Sequence, residues 1–243
     1  MLAHLLQKKD RQDIRVLVGC EQSRTVADAF EWVAGFDSWS CDLLPSDKPS
    51  NKHIVGDIRD VLKEFQPDLL YIAHPPCTRL CNSGVRWLKK PPVGKTVEDM
   101  QRELVEGCEL FREMLDADVP FVAVENPIMH YHAKRLIWGE NYKKLAENDG
   151  VFTRSTVQPY EFAESIDSED NQKKSTHLWL KGLPPLEKTS DLTRETARDD
   201  IHKAPPSADR WKFRSKFHKG IASAMAKQWG DFVFSQYSNQ FEV

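Results

Sequence analysis

Two side chains that could do chemistry stand at the ends of apolar runs of strand length. Cys77 closes the run LLYIAHPPC, and Glu125 lies in the run FVAVENP. A thiol that faces a helix N-terminus or a cation loses its proton readily and becomes a nucleophile. A carboxyl group placed beside it can hold or donate a proton. If the two runs are neighbouring strands, the thiol and the carboxyl meet at one edge of a sheet, which is our first hypothesis.

The surrounding pattern predicts the α/β sheet that would position these groups. Apolar runs without alternation are typical of strands buried on both faces, and open α/β sheets bind ligands beyond the carboxyl ends of their strands. The predicted strands are 14–19, 37–42, 53–57, 69–77, 120–125, 155–158 and 176–180. The first predicted helix begins near Val26, and the other predicted helices span 58–65, 97–116, 128–139 and 220–234. Residues 140–150 are polar and turn-like, and Cys108 falls on the apolar stripe of the third helix, which predicts a core position.

The first strand, a turn at Gly19 and a helix form the opening unit of a nucleotide-binding fold. The turn GCEQS lacks the G-x-G-x-x-G pattern, which disfavours a dinucleotide cofactor. Asp42 follows Gly19 by 23 residues, close to the spacing at which an acidic residue holds ribose hydroxyls. Asp57 ends the third strand in the same way, although a helix N-cap is an alternative interpretation of that residue.

Length and composition predict one soluble globular domain over residues 1–243. The chain is 40% apolar and 29% charged, and no apolar run approaches the ~20 residues of a membrane span. We predict no signal peptide from the N-terminal residues. Five cysteines at irregular spacing indicate reduced thiols and a cytoplasmic location.

The distribution of charge indicates a polyanionic partner. Residues 171–219 hold twelve Lys or Arg against six Asp or Glu, although the whole chain has a net charge of −3. Within them, the cluster 210–216 (RWKFRSK) interleaves aromatic rings with cations, which suits base stacking and phosphate contact. The polar segment 78–96 carries five cations and no anion, and we interpret it as a lid over a phosphate backbone. Ordinary solvated surface is the alternative for both segments.

Three kinds of chemistry are open to Cys77. Acyl transfer needs a histidine base that no pattern places, and a metal site from His74, Cys77 and Cys81 lacks a second paired set of ligands, so we expect no metal. The third is addition of the thiolate to carbon 6 of a pyrimidine while an acid serves N3. This addition turns carbon 5 into a nucleophile for a sulfonium methyl group, and it requires the base to leave its helix.

The same residues carry a family resemblance. Pro-Pro-Cys77 after one strand and Glu125-Asn-Pro after the next, with the Gly19 turn, Asp42 and Asp57, resemble the DNA (cytosine-5) methyltransferases. The strings AHPPCTRLCNSGVRWL (73–88) and HLWLKGLPPL (177–186) are similar to a compact, phage-type branch, as is the segment from Arg214 to Trp229. The resemblance covers about residues 14–232.

The resemblance implies a Rossmann-like class I fold that uses S-adenosyl-L-methionine and acts on cytosine flipped from double-stranded DNA. Cys77 would be the nucleophile, and Glu125 would hold N3 and the exocyclic amine of the base. The implied cofactor-binding residues are Gly19, Cys20, Glu21, Ser23, Asp42, Leu43, Asp57, Ile58 and Pro75. The implied substrate-binding residues are Pro76, Arg79, Arg86, Asn126, Lys174 and Arg214. A phage-encoded enzyme would act in the bacterial cytoplasm, and we expect a monomer or weak dimer.

The chain departs from the family pattern in three places. Its first motif is poor in glycine, the family's paired arginines are replaced by QKKST at 172–176, and the target-recognition region is reduced to about residues 187–210. Sequence specificity would then be slight or come from a protein partner. An RNA substrate or a larger group moved from a modified donor is an alternative within the same chemistry. A catalytically silent nucleic-acid-binding protein is another, which intact Cys77 and Glu125 disfavour.

Overall fold

The computed structural model describes residues 9–203, 205, 214 and 216–241. Its strands are β1 (Arg15–Gly19), β2 (Asp37–Asp42), β3 (His53–Val55), β4 (Leu70–Ala73), β5 (Phe121–Pro127), β6 (Thr153–Val157) and β7 (Thr176–Lys181). Each predicted strand is therefore present, with bounds that differ by a few residues. β4 is the shortest relative to expectation, since Pro75 and Pro76 have no backbone N–H to continue a ladder.

These strands form one sheet in the order β3-β2-β1-β4-β5-β7-β6. β1 to β5 are parallel to one another, and β7 runs antiparallel to both β5 and β6. β4 and β5 are hydrogen-bonded neighbours, with Ala73 opposite Val124. The predicted Rossmann-like α/β fold, a mostly parallel sheet with helices on both faces, is confirmed.

The helices among the described residues are α1 (Thr25–Trp32), α2 (Ile58–Phe65), α3 (Val97–Leu115), α4 (Tyr131–Trp138), α5 (Tyr142–Leu145), α6 (Asp200–Lys203), α7 (Lys219–Ala224) and α8 (Gly230–Asn239). A capping box of Thr96 and Asp99 begins α3, and Asp57 caps α2. A π turn, Met225–Trp229, joins α7 to α8 where one closing helix was predicted. Short 3₁₀ turns lie at Arg11–Asp13, Val85–Leu88, Gly139–Asn141 and Pro159–Phe162.

Alternate residues of each central strand feed two hydrophobic cores, one on each face of the sheet. Val16, Val18 and Ile72 pack with α1, α7 and α8 on one face. Leu17 and Tyr71 pack with α2, α3 and α4 on the other. Cys108 is 5% exposed in this second core, as predicted.

Two expectations for the connections need correction or lie outside the description. Residues 140–150 are not simply turn-like, because they contain α5 and a 3₁₀ turn. Within the expected irregular segment 187–210, residues 187–199 contain no helix or strand, as predicted, whereas residues 200–203 form α6, which was not predicted. Most of the basic cluster 210–216 lies outside the described residues. No helix in the described part of the chain is long and apolar enough to cross a membrane.

Candidate active site

The adjacency of β4 and β5 brings Cys77 and Glu125 together at the carboxyl edge of the sheet. The half-buried Cys77 thiol is hydrogen-bonded to the thiol of Cys81, and it lies within electrostatic range of the Glu125 carboxyl and the Lys174 ammonium. Glu125 is itself 13% exposed. A nucleophile, an acid and a cation therefore share one partly desolvated site.

Backbone hydrogen bonds turn the chain sharply at Cys77. The His74 N–H donates to the Gly19 carbonyl at 3.0 Å, which extends the pairing of β4 with β1 by one residue. The two prolines then end the ladder. The Cys77 carbonyl accepts from the N–H groups of Leu80 and Cys81, both at 3.0 Å, so that one turn of chain presents the thiol at the edge.

The segment after Cys77 is attached to the segment after β5. The Asn82 N–H donates to the Ile128 carbonyl at 3.0 Å, and the His130 N–H donates to the Leu80 carbonyl at 2.9 Å. The His130 ring also bonds to the Arg79 carbonyl through Nε2 at 2.7 Å, and Leu80 is fully buried. The first part of the segment interpreted as a lid is thus held in place, and for its remainder the lid stays a prediction.

The two thiols have opposite acidities because they share a hydrogen bond. The pKa of Cys77 is raised, first by its hydrogen bond to Cys81, then by burial and by the negative charges of Cys81 and Glu125, while Lys174 works to lower it. The pKa of Cys81 is lowered to about 6, first by the hydrogen bond from Cys77 and further by hydrogen bonds from Ser83, against the effect of burial. The Cys81 Sγ lies 3.0 Å from the Ser83 Oγ.

The turn after β1 is built around Glu21, which is 4% exposed. Its two carboxyl oxygens accept the N–H groups of Val26 at 2.5 Å and Ala27 at 3.0 Å, at the start of α1. Cys20 precedes it with φ at +56°, in the left-handed region, and burial raises the pKa of the Cys20 thiol to about 12. Both carboxyl oxygens of Glu21 are thus engaged by α1, and Ser23 likewise bonds to Thr25 at the same helix start.

The remaining residues expected at the cofactor follow one another along the edge from β3 to β4. Asp42 is half-buried at the end of β2 and uses one oxygen, Oδ1, to accept the Leu44 N–H at 3.0 Å. Leu43 beside it is 71% exposed. Asp57 caps α2, and both its oxygens bond to Arg59, which lowers the pKa of Asp57 to about 2. Ile58 and Pro75 are buried.

The surroundings of Asp42 suit an adenosyl ligand, whereas the hydrogen bonds of Asp57 do not. Oδ2 of Asp42, which has no hydrogen-bond partner among the described residues, and the exposed Leu43 suit a ribose diol and an apolar ring at the sheet edge beside β1. Asp57 reaches an adenine amine only by sharing or releasing its Arg59 contacts. The N-cap interpretation of Asp57 is therefore correct, and its role toward a cofactor stays a prediction.

Some of the residues expected at the substrate are buried or already paired with other side chains, and others are exposed or half-buried. Arg79 forms an ion pair with Glu103 of α3 at 2.6 Å and has a side chain only 14% exposed. Asn126 is fully buried, and its amide has no hydrogen-bond partner among the described residues. Pro76 and Arg86 are exposed, with the Arg86 guanidinium 4.4 Å from the Trp87 ring centre. Lys174 and Arg214 are half-buried, and the Lys174 ammonium donates to the Lys216 carbonyl at 3.3 Å.

One residue at the site was not predicted to act there. His74 places Nδ1 3.7 Å from Oε2 of Glu125, and its side chain is 11% exposed. The signal in the sequence was its position, three residues before Cys77 in a run that is otherwise apolar up to the prolines. Among the described residues, no group of three or more His, Cys, Asp or Glu side chains could hold a metal ion.

No family model matches the chain, and no curated protein matches it. Two similar solved structures are an E. coli prophage protein described as a DNA modification methyltransferase and the Entamoeba histolytica methyltransferase EhMeth. The first is 14% identical, with a TM-score of 0.39, and the match covers 75% of this chain and 50% of that one. The second is 11% identical, with a TM-score of 0.41, and covers 81% and 61%. The chain thus spans one half to three fifths of these proteins, and at such identities neither similarity indicates what it binds or transforms.

Proposed function

We propose that this chain is a methyltransferase that uses S-adenosyl-L-methionine and acts on carbon 5 of cytosine in DNA. The observation that carries the proposal is the grouping of the Cys77 thiol, the Glu125 carboxyl and the Lys174 ammonium at the carboxyl edge of β4 and β5. A thiol beside an acid and a cation suits addition to a pyrimidine ring. It suits acyl transfer less, since that reaction usually uses a histidine base and no histidine among the described residues is hydrogen-bonded to the Cys77 thiol.

The chemistry of the site begins with bond formation between the Cys77 Sγ and carbon 6 of the flipped base. Glu125 gives a proton to N3 at the same time, and the ring becomes an enamine whose carbon 5 is nucleophilic. S-adenosyl-L-methionine, when bound, would supply an electrophilic methyl carbon: carbon 5 would bond to it, and the bond from that carbon to the sulfonium sulfur would break with its electron pair left on sulfur as a neutral thioether. The proton on carbon 5 then passes to water, the bond from Sγ to carbon 6 breaks, and N3 returns its proton to Glu125.

Activation of the thiol falls to the groups around it. Cys77 must lose its proton before it attacks, and Cys81 is the hydrogen-bonded acceptor at hand. The positive charge of Lys174 favours the thiolate of Cys77. Displacement of water by a bound base strengthens this interaction, because the local dielectric falls.

The cofactor would lie beside β1, β2 and β4. We assign the methionine part to the turn Gly19, Cys20, Glu21 and Ser23, the ribose to Asp42, and the adenine to Leu43, Asp57 and Ile58, with Pro75 beside the transferred methyl group. The unshared oxygen of Asp42 is the contact that supports this placement best. Since Glu21 is engaged by α1, we expect it to shape the turn rather than to touch the ligand.

DNA would reach the site from the open edge. Pro76, Arg86, Lys174 and Arg214 are the candidates for contact with the base or its phosphates, and Arg79 joins them only if it leaves Glu103. Asn126 would hold the loop beneath the base. Since the irregular segment 187–199 is short, we expect slight sequence preference or a protein partner that supplies it.

The test is direct. The protein is incubated with labelled S-adenosyl-L-methionine and cytosine-containing DNA or RNA, and the digested nucleosides are identified by mass. We expect 5-methylcytosine from DNA. Label found in RNA alone would change the proposed substrate from DNA to RNA. The proposal would be refuted if none of the nucleic acids yielded a modified cytosine.

A second experiment identifies the nucleophile. DNA that contains 5-fluorocytosine lacks the removable proton at carbon 5, so the enzyme should remain covalently attached to it. We expect this adduct to disappear in Cys77→Ser and to persist in Cys108→Ala, whose thiol lies in the core away from the edge. An adduct retained by Cys77→Ser would show that another residue attacks.

A further inference from the structure

His74 is held against Glu125 from both its backbone and its ring. Its N–H is bonded to Gly19, and its ring lies between the Glu125 carboxyl, 3.7 Å from Nδ1, and the Phe217 ring, whose centre is 4.6 Å away. Pro75 follows and restricts His74 to extended backbone. The imidazole therefore has little room to turn away from the carboxyl.

Neither ring nitrogen of His74 has a hydrogen-bond partner among the residues that the structure describes. A buried polar atom left without a hydrogen bond destabilises the folded chain. Such orphaned groups call for an explanation, and one explanation is a contact that forms only in the working complex. Oε2 of Glu125 is the acceptor within reach, since a movement of less than about 1 Å would bring 3.7 Å into hydrogen-bond range.

We propose that His74 is a positioning residue for Glu125. Its Nδ1–H donates to Oε2 of Glu125 when the base is bound and fixes the carboxyl group in the orientation that serves N3. The inference rests on the proposed function, because it concerns the acid of that reaction. His74 keeps its own proton throughout, and the proton that reaches N3 comes from Glu125.

The hydrogen bond contributes to rate because it strengthens during the reaction. As Glu125 gives its proton to N3, Oε2 gains negative charge, and a donor already aimed at it stabilises the transition state more than the bound ground state. Two carboxyl groups interact electrostatically with the ring: Glu125 on β5, 3.7 Å from Nδ1, and Glu21 in the turn after β1. Glu125 is the one whose oxygen lies close to hydrogen-bond range of the ring.

Two substitutions separate this role from packing. His74→Gln removes the donor at the Nδ1 position, and His74→Asn keeps one there, since the asparagine amide nitrogen overlies Nδ1. We expect His74→Gln to lower the single-turnover rate of methyl transfer by roughly 10- to 100-fold, the value of a charge-assisted hydrogen bond, with Kd for DNA and cofactor unchanged. His74→Asn should stay within about fivefold of the unsubstituted chain. A packing role would favour the larger glutamine instead.

A double-mutant cycle with Glu125→Gln gives the second measurement. If His74 acts through Glu125, His74→Gln adds little further loss in the Glu125→Gln background. Three results, each obtained while the unsubstituted chain transfers methyl groups, would overturn this inference alone. They are full activity of His74→Gln, additive losses in the double-mutant cycle, and a faster rate for His74→Gln than for His74→Asn. Absence of transfer by the unsubstituted chain would overturn the proposed function as well, so the two failures are distinguishable.

Discussion

Gly19→Ala is a sharp test of how the turn after β1 is packed. A Cβ on Gly19 would lie 2.8 Å from Cδ1 and Cγ1 of Ile58 and 2.8 Å from the Tyr71 hydroxyl. Normal contacts are about 3.5–4.0 Å. Ile58 is 5% exposed and Tyr71 fully buried, so neither can move aside into solvent.

Overpacking of this kind typically costs 1–3 kcal/mol, and we expect the free energy of unfolding to fall by about 2 kcal/mol. For a chain of 243 residues the entropy of unfolding near Tm is about 0.5 kcal/mol/K, so Tm should fall by about 4 °C. Urea unfolding followed by tryptophan fluorescence measures the first quantity, and calorimetry measures the second. Gly107→Ala in α3 is the matched control, because its nearest neighbour, Leu80, would be 3.5 Å away. We expect that control to gain about 0.5–1 kcal/mol from helix propensity.

Tyr71→Phe supplies the refuting comparison. The Tyr71 hydroxyl has no hydrogen-bond partner among the described residues, and its removal should be neutral or stabilising. In the Gly19→Ala background it also removes one of the three close contacts, so the two substitutions should couple favourably by about 0.5 kcal/mol or more. A Gly19→Ala protein within about 0.5 kcal/mol of the unsubstituted chain, or strict additivity with Tyr71→Phe, would show that the turn is not packed as described.

Three further predictions concern pH and anchoring. Burial, and then nearby cations, lower the pKa of His177 from 6.5 to about 4. Between these two pH values the unfolded chain therefore binds a proton at His177 that the folded chain does not bind. Stability should fall by up to about 3 kcal/mol as the pH drops from 6.5 to 4, and His177→Gln should remove this fall in urea midpoints. Asp170→Asn should lower the free energy of unfolding by about 1–3 kcal/mol in urea titrations, since the carboxylate accepts an N–H of α7 at 2.6 Å. Lys174→Ala should move the pH profile of adduct formation by Cys77 to higher pH, measured on 5-fluorocytosine DNA.

Each of these has a contrary outcome. If the stability of His177→Gln depends on pH as steeply as that of the unsubstituted chain, the titrating group is a residue other than His177. An Asp170→Asn protein as stable as the unsubstituted chain would mean that the bond to α7 contributes nothing net. For Lys174, the neighbour Lys173 provides the control, and an equal shift from Lys173→Ala would point to general surface charge rather than to a local effect on the thiol.

The elements of the fold were predictable because their signals are local. Buried β-branched runs specify the central strands, and the spacing of Met100, Leu104, Cys108 and Phe111 specifies α3. What sequence missed depends on tertiary contact. The π turn at Met225–Trp229 is one case, where the fully buried Trp229 donates from Nε1 to the Pro184 carbonyl at 2.9 Å. A hydrophobic period does not reveal such a register change.

The sequence was enough to predict that Cys77 and Glu125 lie together, but not which other side chains contact the site residues. That β4 and β5 are neighbours follows from chain order and the rules of α/β folds, and this placed Cys77 beside Glu125. Residue type could not show that Arg79 is engaged by Glu103. Nor could it show that His74 faces Glu125, because this depends on which side of the edge the chain turns after Ala73.

The hydrogen bonds between residues 80–82 and 128–130 make one mechanical unit of the loop that carries Cys77 and the strand that carries Glu125. We therefore expect the separation of thiol and carboxyl to be preserved when other segments at this edge of the sheet move. The amide protons of Asn82 and His130 lie within this unit. Their exchange with solvent should be slow and concerted, as one local opening event that leaves β1 and β2 folded.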